Sequence, residues 1–423
     1  MQRNFASSKN RDLARAVLLA MGAVTTVGAQ AATLIGGGAT LPAVGYVGGP
    51  AALGSGSNAR LTNPVSDTDS LFGAFASATS NTVTYCQTGS GTGKRVLGGV
   101  TGYAASNACG DFTTTPLGFG VGSVAAPDFA ASDAPMSASE YNAVISAYGA
   151  TRTAPVQFPS VAGAVAIIYN NAALASLNLT TTQVCQIFTG QISNWSSFGG
   201  GNHPITVVYR SDGSGTTFSL SNHLAATCGG LSTGHYTTDQ TFTNVVATAA
   251  GLPSGSSGQS GNPGVVNFVA ANSFTIGYGE VADAVARGAG QIATVNGLDP
   301  INDFATTGTF TVTTTTGKDI ATTVSSTGRP VLENLPGTPP QPGCVVIVDP
   351  ASYAAPSSGY PIVAVSNLLG YYGANGTHKT AVQGLLASPY TTRVADIDAG
   401  TGLAYLSDTS GNLTSAKVTG CVN

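Results

Sequence analysis

The chain has 423 residues, of which only 8% are charged and 56 are glycine, and its formal net charge is −4. With a mean hydropathy of +0.19, this composition excludes a charged disordered polymer and favours a β-rich or α/β globule with many polar turns. The length admits two domains with apolar cores, and an acidic chain without a basic cluster is excluded as a holder of nucleic acid through its phosphates.

The first 31 residues read as a cleavable export signal. Arg3, Lys9, Arg11 and Arg15 form a basic start opposed only by Asp12, Ala16 to Ala23 supplies the apolar stretch, and Ala29-Gln30-Ala31 is a small-x-small cut site. No cysteine follows the cut, so a lipid anchor is not expected. No later run reaches the roughly 18 apolar residues of a membrane span. The rest of the chain is therefore expected in the periplasm or outside the cell. Without the signal it holds 11 basic and 18 acidic residues, a net charge of −7. An anion bound there must be held by locally oriented N–H dipoles rather than by a positive surface field.

Thr33-Leu34-Ile35 reads as a short strand entering the turn Gly36-Gly37-Gly38-Ala39-Thr40-Leu41-Pro42. Residues 47–70, rich in Gly, Ser and Asn, read as a surface excursion. Asn81 to Tyr85 is a β-branched strand ending at Gly89-Ser90-Gly91-Thr92-Gly93, and on the helix that follows Lys94 and Arg95 are expected to face solvent. Phe129 to Ser132 is another strand end. It turns through Asp133-Ala134-Pro135 into a capping box, Ser137-Ala138-Ser139-Glu140, and Asp133 is itself a candidate helix cap.

Val161 to Tyr169 is almost wholly apolar, as expected of a strand buried on both faces. Thr181 to Phe188 reads as a helix closed by Gly190, with Trp195 beyond it as a core residue. Ile205 to Tyr209 is a buried strand that delivers Arg210-Ser211-Asp212-Gly213-Ser214-Gly215-Thr216-Thr217. A helix is then expected from Phe218 to Ala225, with His223 at the surface. Phe274 to Tyr278 reads as a strand and Glu280 as the start of a helix. Thr-rich alternation from Thr309 to Thr316 predicts a hairpin, Pro336 to Pro342 a loop, and Tyr371-Tyr372 packing within a strand. Strands alternating with helices imply a largely parallel sheet, with ligands gathering at strand C-terminal ends.

The cysteines are Cys86, Cys109, Cys185, Cys228, Cys344 and Cys421. An even count in an exported chain argues for disulfides, and of the fifteen formal pairings the sequential one is expected: Cys86–Cys109, Cys185–Cys228 and Cys344–Cys421. There is no CxxC, and His203, His223, His235 and His378 do not cluster at ligand spacing, so neither a metal site nor a cofactor is expected.

Four turns share one character: 36–41, 89–93, 132–135 and 210–217. Each follows an apolar strand and carries Gly, Ser or Thr, and two add an acid. Singly, each is the ordinary way to leave a strand. Gly89 to Arg95 is not a P-loop, because Thr88 stands where the first glycine belongs and Arg95 follows Lys94 where Ser or Thr is required. The last turn is the most telling. N–H groups at a helix start are unpaired, small residues let an anion approach them, and Ser214 and Thr216 add hydroxyl donors. Arg210 adds a charge that is never lost, and Asp212 two residues on can pre-orient it. The competing reading of that pair is a surface ion pair.

The segments Asp128 to Ser137, Phe158-Pro159-Ser160-Val161, Ile187 to Trp195, Ile276-Gly277-Tyr278, Gly359-Tyr360-Pro361-Ile362 and above all Arg210 to Phe218 carry a resemblance. Together they resemble the periplasmic phosphate-binding protein of bacterial phosphate ABC transporters, with the glycine-rich DING subfamily closest. Gly36 to Pro42 is similar to that subfamily's N-terminal signature, although Thr33-Leu34-Ile35 replaces the start of its namesake tetrapeptide.

The resemblance implies a type II two-lobed binding fold, each lobe a mostly parallel sheet flanked by helices. Lobe one would be residues 32–158 plus 361–423, lobe two 159–360, and the hinge two crossings near 156–161 and 357–362. It also implies a set of contacts to inorganic phosphate. Thr40 gives a hydroxyl and Leu41 its backbone N–H. Ser90 gives hydroxyl and N–H, with Gly91 and Thr92 beside it. Asp133 accepts the ligand's own proton, Arg210 meets an oxygen while held by Asp212, and Ser214, Gly215 and Thr216 donate from the next helix start. At neutral pH phosphate keeps a P–OH and sulfate does not, so an acceptor-only carboxylate at Asp133 discriminates between them, by about 10³ or more. The function expected is non-enzymatic phosphate capture by a monomer, for an ABC permease or for scavenging outside the cell. The alternatives are a secreted phosphatase of the DING type or a surface or matrix protein on the same fold.

Overall fold

Pro155–Asn170, a 16-residue run without a charged side chain, forms one continuous strand that is buried almost to its end. A strand covered on both faces needs apolar or small side chains, and this segment supplies them almost throughout, its buried Gln157 being satisfied by the Met136 N–H and the Val346 carbonyl. It is the spine of the molecule in the computed structural model, which describes residues 31–49, 60–109, 117–122, 124–229, 234–288, 290–337 and 341–423. The expected export signal, apart from Ala31, lies outside the described residues. Ala32–Asn423 forms one compact unit.

Ahead of the spine stand strands β1 (Thr33–Gly37), β2 (Leu61–Thr62), β3 (Thr82–Cys86) and β4 (Ala130–Ser132). Helices α1 (Ala43–Val47), α2 (Leu71–Thr79), α3 (Ser90–Leu97) and α4 (Ala138–Arg152) lie among them. The spine is β5. Beyond it come β6 (Asn178–Leu179), α5 (Thr181–Phe188), β7 (Thr206–Arg210), α6 (Gly215–Thr227) and α7 (Phe242–Ala247). Then follow β8 (Ser257–Gln259), α8 (Gly261–Ala271), β9 (Thr275–Glu280), α9 (Val281–Ala286) and β10 (Gln291–Val295). Short strands β11 (Thr309–Val312), β12 (Thr314–Thr316), β13 (Lys318–Ile320), β14 (Leu332–Asn334) and β15 (Val346–Val348) come next. The chain closes with α10 (Pro350–Tyr353), β16 (Val363–Tyr371), α11 (Lys379–Thr391), β17 (Leu403–Asp408) and α12 (Ser415–Cys421).

The first part of β5, Pro155 to Ala164, pairs antiparallel with β16, and the remainder, Val165 to Asn170, with β9. The strand thus changes partners midway, and β16 begins opposite Ala164. Around this antiparallel centre the pairs β1–β3, β7–β8 and β7–β9 are parallel. The expectation of a largely parallel sheet describes these flanks; the centre is antiparallel because two long apolar strands pair with each other directly. The register of β5 and β16 slips once. Ser366 faces Val161 and Asn367 faces Pro159, which leaves Ser160 as an extra residue in β5.

The hairpin expected from Thr309 to Thr316 does not form. β11 pairs with β17 and β12 with β15. Only Thr313 separates the two strands, and one β-branched residue cannot reverse a chain as a Gly- or Asn-containing turn does. Residues 60–70 also depart from a simple surface excursion. Leu61–Thr62 pair with β3, and Arg60 is buried.

Local chemistry sets the helix starts as expected. Ser137 and Glu140 form the capping box of α4, and Ser214 caps α6 by accepting from the Thr217 N–H. Trp195 is wholly buried and its indole N–H donates to the Phe274 carbonyl at 2.9 Å, so it is a core residue. The three disulfides are the sequential set, Cys86–Cys109, Cys185–Cys228 and Cys344–Cys421. Among the described residues no helix is long and apolar enough to cross a membrane.

Candidate functional site

β1, β3, β4 and β7 each end in one of the four turns, and the fold brings all four together. Gly89 N–H donates to Gly38 O at 2.7 Å, Ala39 N–H to Ala131 O at 2.9 Å, and Gly91 N–H to Gly213 O at 2.9 Å. Such approaches need glycine. A Cβ on Gly93 would stand 2.7 Å from the Gly38 Cα, and one on Gly215 would stand 2.5 Å from both the Asp133 Cβ and the Ser90 hydroxyl. Every expected contact residue, from Thr40 and Leu41 through Ser90, Gly91, Thr92 and Asp133 to Arg210, Asp212, Ser214, Gly215 and Thr216, is buried.

Arg210 is the hub. Its Nε donates to Asp212 Oδ1 at 2.7 Å while Nη2 donates to Asp212 Oδ2. Nη1 reaches Thr40 Oγ1 at 3.2 Å, Asn262 Oδ1 at 3.3 Å and Thr216 Oγ1 at 3.4 Å. The surface-ion-pair reading of Arg210–Asp212 is therefore set aside, since both side chains are buried. Burial works against the Arg210 charge, and the charge and hydrogen bonds of Asp212 outweigh it, so its pKa stands above the ordinary value. Asp212 Oδ1 also accepts the Gly261 N–H at 2.8 Å, and the Arg210 N–H meets Tyr278 OH at 3.2 Å.

The hydroxyls around this hub are polarised by their partners. Thr40 Oγ1 accepts from Arg210 and, at 3.4 Å, from the Asn262 N–H; Thr216 Oγ1 accepts from Arg210; Ser214 Oγ accepts from the Thr217 N–H. A hydroxyl whose lone pairs face donors has its own hydrogen left to give. Three such hydroxyls beside a guanidinium make a buried cluster of donors at the start of α6, where the helix dipole adds to them.

Asp133 supplies the opposite function. Its Oδ1 accepts from Ser366 Oγ at 2.6 Å and its Oδ2 from Ser90 Oγ at 3.3 Å. Burial pushes its carboxyl up to about 6, against the opposing pull of Ser366, Arg210, Ser90 and Lys94. Donors on one side and a buried carboxylate on the other suit an oxyanion that still carries a hydrogen. A fully deprotonated oxyanion would press an oxygen against the carboxylate with nothing between.

Several expectations change at the residue level. Gly91 gives its N–H to Gly213 O, so it joins two turns rather than offering a donor. The helix after Asp133 is capped by Ser137, which leaves the Asp133 side chain to the site. Lys94 does not face solvent: it is buried, pairs with Glu140 at 2.8 Å and donates to Pro135 O, while Arg95 is exposed. Lys94 lies four residues after Ser90, hence on the same helix face, which turns it inward. His223 is not a surface residue either; it is buried against Ala354 O, and burial holds its pKa down. Asn262, Ser366 and Arg60 are site neighbours that sequence reasoning missed. The signal for Asn262 lay in Gly261-Asn262-Pro263, a helix start like the others; the other two carry none.

Residues 48–337 match the model of the PBP superfamily domain. The chain is 29% identical over 350 residues to a Pseudomonas aeruginosa protein named Alkaline phosphatase L, covering 81% of this chain and 76% of that one. Two more relatives of that name are spanned over 61% of their length. It is 34% identical over 169 residues to the phosphate-binding protein PstS of Xylella fastidiosa, covering 37% of this chain and 41% of that one. A solved high-affinity periplasmic phosphate-binding protein (PfluDING), bound with phosphate, shares 26% identity and a TM-score of 0.60, covering 91% of this chain and 92% of that one. A phosphate-binding protein from Stenotrophomonas maltophilia shares 26% identity and a TM-score of 0.55, covering 86% and 84%.

Proposed function

Since the chain belongs to the PBP superfamily and has its type II fold, we propose that it is an exported binding protein that captures inorganic phosphate. The observation that carries this reading is the burial near one another of the Arg210 fork with its hydroxyls and the acceptor-only carboxylate of Asp133. The donors attract any tetrahedral oxyanion, and Asp133 selects one that brings a proton. The relatives named for phosphate binding support the same ligand.

In this reading Thr40, Leu41, Ser90, Thr92 and Asp133 contribute from lobe one (32–158 plus 361–423). Arg210, Ser214, Gly215 and Thr216 contribute from lobe two (159–360), with Asp212 holding the arginine. Each lobe supplies part of the coordination, so the ligand favours the closed arrangement of the turns. Delivery to an ABC permease is the role that fits such a carrier, and residues 1–31 would direct it out of the cytoplasm.

The test is calorimetric titration of purified protein with phosphate and with sulfate. Micromolar or tighter phosphate binding with sulfate ignored is the expected result. Equal affinity for both ions would remove Asp133 from its role, and no binding of either would end the proposal. The relative named Alkaline phosphatase L raises a second reading, hydrolysis of phosphate monoesters. It is checked on the same protein by p-nitrophenyl phosphate turnover with and without chelator, and turnover that survives purification and is lost in Arg210→Ala would favour it.

A further inference from the structure

Asp133 is gripped from a strand far along the chain. Ser366 Oγ donates to its Oδ1 at 2.6 Å, a shorter contact than the 3.3 Å from Ser90 to Oδ2. Ser366 is fully buried and stands on β16 where the pairing with β5 slips past Ser160. A bulge inserts one residue, bends the strand and re-aims the side chains beside it. This bulge is itself tied down: Ser160 Oγ donates to Ser366 O at 3.0 Å and also bonds with the Tyr46 hydroxyl. The backbone irregularity therefore holds a hydroxyl on one oxygen of the carboxylate on which selectivity turns.

We propose that Ser366 is a specificity-positioning residue, which by bonding Oδ1 fixes the Asp133 carboxylate and keeps Oδ2 turned to the ligand as an acceptor. The inference rests on the reading of the site as one for phosphate. Each hydrogen bond that a carboxylate accepts favours its ionised form, and only that form refuses an oxyanion without a proton. The other groups that act on Asp133 are spread over several elements. Arg210 on β7 and Lys94 on α3 favour its charge, and Glu280 at the end of β9 feels it as a like charge. Tyr46, Tyr85 and Tyr353, on α1, β3 and α10, are kept neutral by burial. Of the influences that hold the Asp133 carboxyl down against burial, Ser366 is the first.

The experiment is titration of wild type, Ser366→Ala, Ser366→Cys and Ser366→Thr with inorganic phosphate and with sulfate, from about pH 5 to about pH 9. In wild type, sulfate binding is expected only as Asp133 protonates at acid pH, when the carboxyl turns from acceptor to donor. In Ser366→Ala that onset moves up by about one pH unit, and near pH 7 the phosphate-over-sulfate ratio falls about tenfold, as one lost hydrogen bond to a charged group predicts. Ser366→Thr, which keeps the hydroxyl, restores the wild-type profile. Ser366→Cys, close in size with a weaker donor, falls between, and it decides the matter should the alanine variant fail to fold. Wild-type ratio and pH profile in the alanine or cysteine variant overturns the inference alone. A wild-type protein that binds neither ion overturns the functional reading and the inference together.

Discussion

Asp212 meets Arg210 with both carboxylate oxygens, leaving Nη1 as the nitrogen that reaches Thr40, Asn262 and Thr216. Two of the guanidinium nitrogens are thus fixed before any ligand arrives, and the direction of the third follows from the planarity of the group. Lysine has one head and cannot hold the carboxylate and the hydroxyls at once. Arg210→Lys is therefore expected to weaken phosphate binding by about a hundredfold although the charge is kept, two or more charge-assisted bonds being lost. Arg210→Ala should abolish binding. Calorimetry showing Arg210→Lys within threefold or so of wild type would mean that charge alone, not the fork, holds the ligand.

The same pair carries a stability prediction. Asp212→Asn leaves a buried guanidinium without its counter-charge, a loss of about 3–5 kcal/mol for a pair this enclosed. The Gly261 N–H keeps an acceptor in the amide oxygen, so the cost falls on Arg210. Denaturant unfolding without phosphate should show this loss, and added phosphate should recover part of it by supplying negative charge. Equal loss with and without phosphate would separate Arg210 from the ligand.

Asp133 works in the opposite direction. Its folded-state pKa, about 6, lies above the ordinary 3.8 because the carboxyl is buried. A raised folded value contributes stability that is fully present below the unfolded pKa and is lost as pH rises through the folded one. At about pH 7.5 the ligand-free protein thus carries a penalty of up to about 3 kcal/mol from this one group, of which only a small part remains near pH 4. Asp133→Asn should accordingly raise ligand-free stability at about pH 7.5, leave it nearly unchanged near pH 4, and erode phosphate-over-sulfate selectivity. A variant destabilised equally at both pH values would show Asp133 to be structural.

What the sequence reveals of this site is what local chemistry writes into a turn. Glycines at 89, 91 and 215, the Ser214 cap and the Arg210–Asp212 spacing all mark a strand end built for close approach, and the turns do converge. The partners supplied from far along the chain leave no such mark. Ser366 is one more serine in an apolar strand, and its role appears only once β16 lies against β4 and β5. In the same way α6 buries every residue from Gly215 to Leu224, so no amphipathic stripe warns that His223 is inside. The threonine alternation that suggested a hairpin is real as strand propensity, but pairing partners are a tertiary property that alternation does not specify.

Gly215 offers a test of closure that leaves the ligand-binding groups intact. It opens α6, where alanine would favour the helix by up to about 1 kcal/mol. Its added Cβ, however, would stand 2.5 Å from the Asp133 Cβ and the Ser90 hydroxyl, closer than real contacts allow. Gly215→Ala should therefore hold the two turns apart, lowering phosphate affinity at least about tenfold while ligand-free stability changes by less than about 1 kcal/mol. Loss of stability in step with affinity would mean that the turns pack permanently, without an open state.

Arg60 provides the last prediction, because it bridges the β2–β3 edge and the start of α8. Its Nη2 donates to Ser260 O at 2.7 Å and to Ser260 Oγ at 3.2 Å, and Nη1 reaches Gln87 O at 3.5 Å. The next two residues along α8 serve the site directly, Gly261 through Asp212 and Asn262 through Arg210 and Thr40. Arg60 is therefore expected to act on ligand binding by holding that helix start in place, and a latch of this kind would set how long a closed state lasts. Arg60→Met keeps the length of the side chain and removes its donors. Stopped-flow measurement should show phosphate release accelerated about tenfold with the association rate changed by less than about twofold, since mutational effects within one site fall mainly on dissociation. A slowed association with unchanged release would instead make Arg60 a source of electrostatic attraction, and its salt dependence would then be steep.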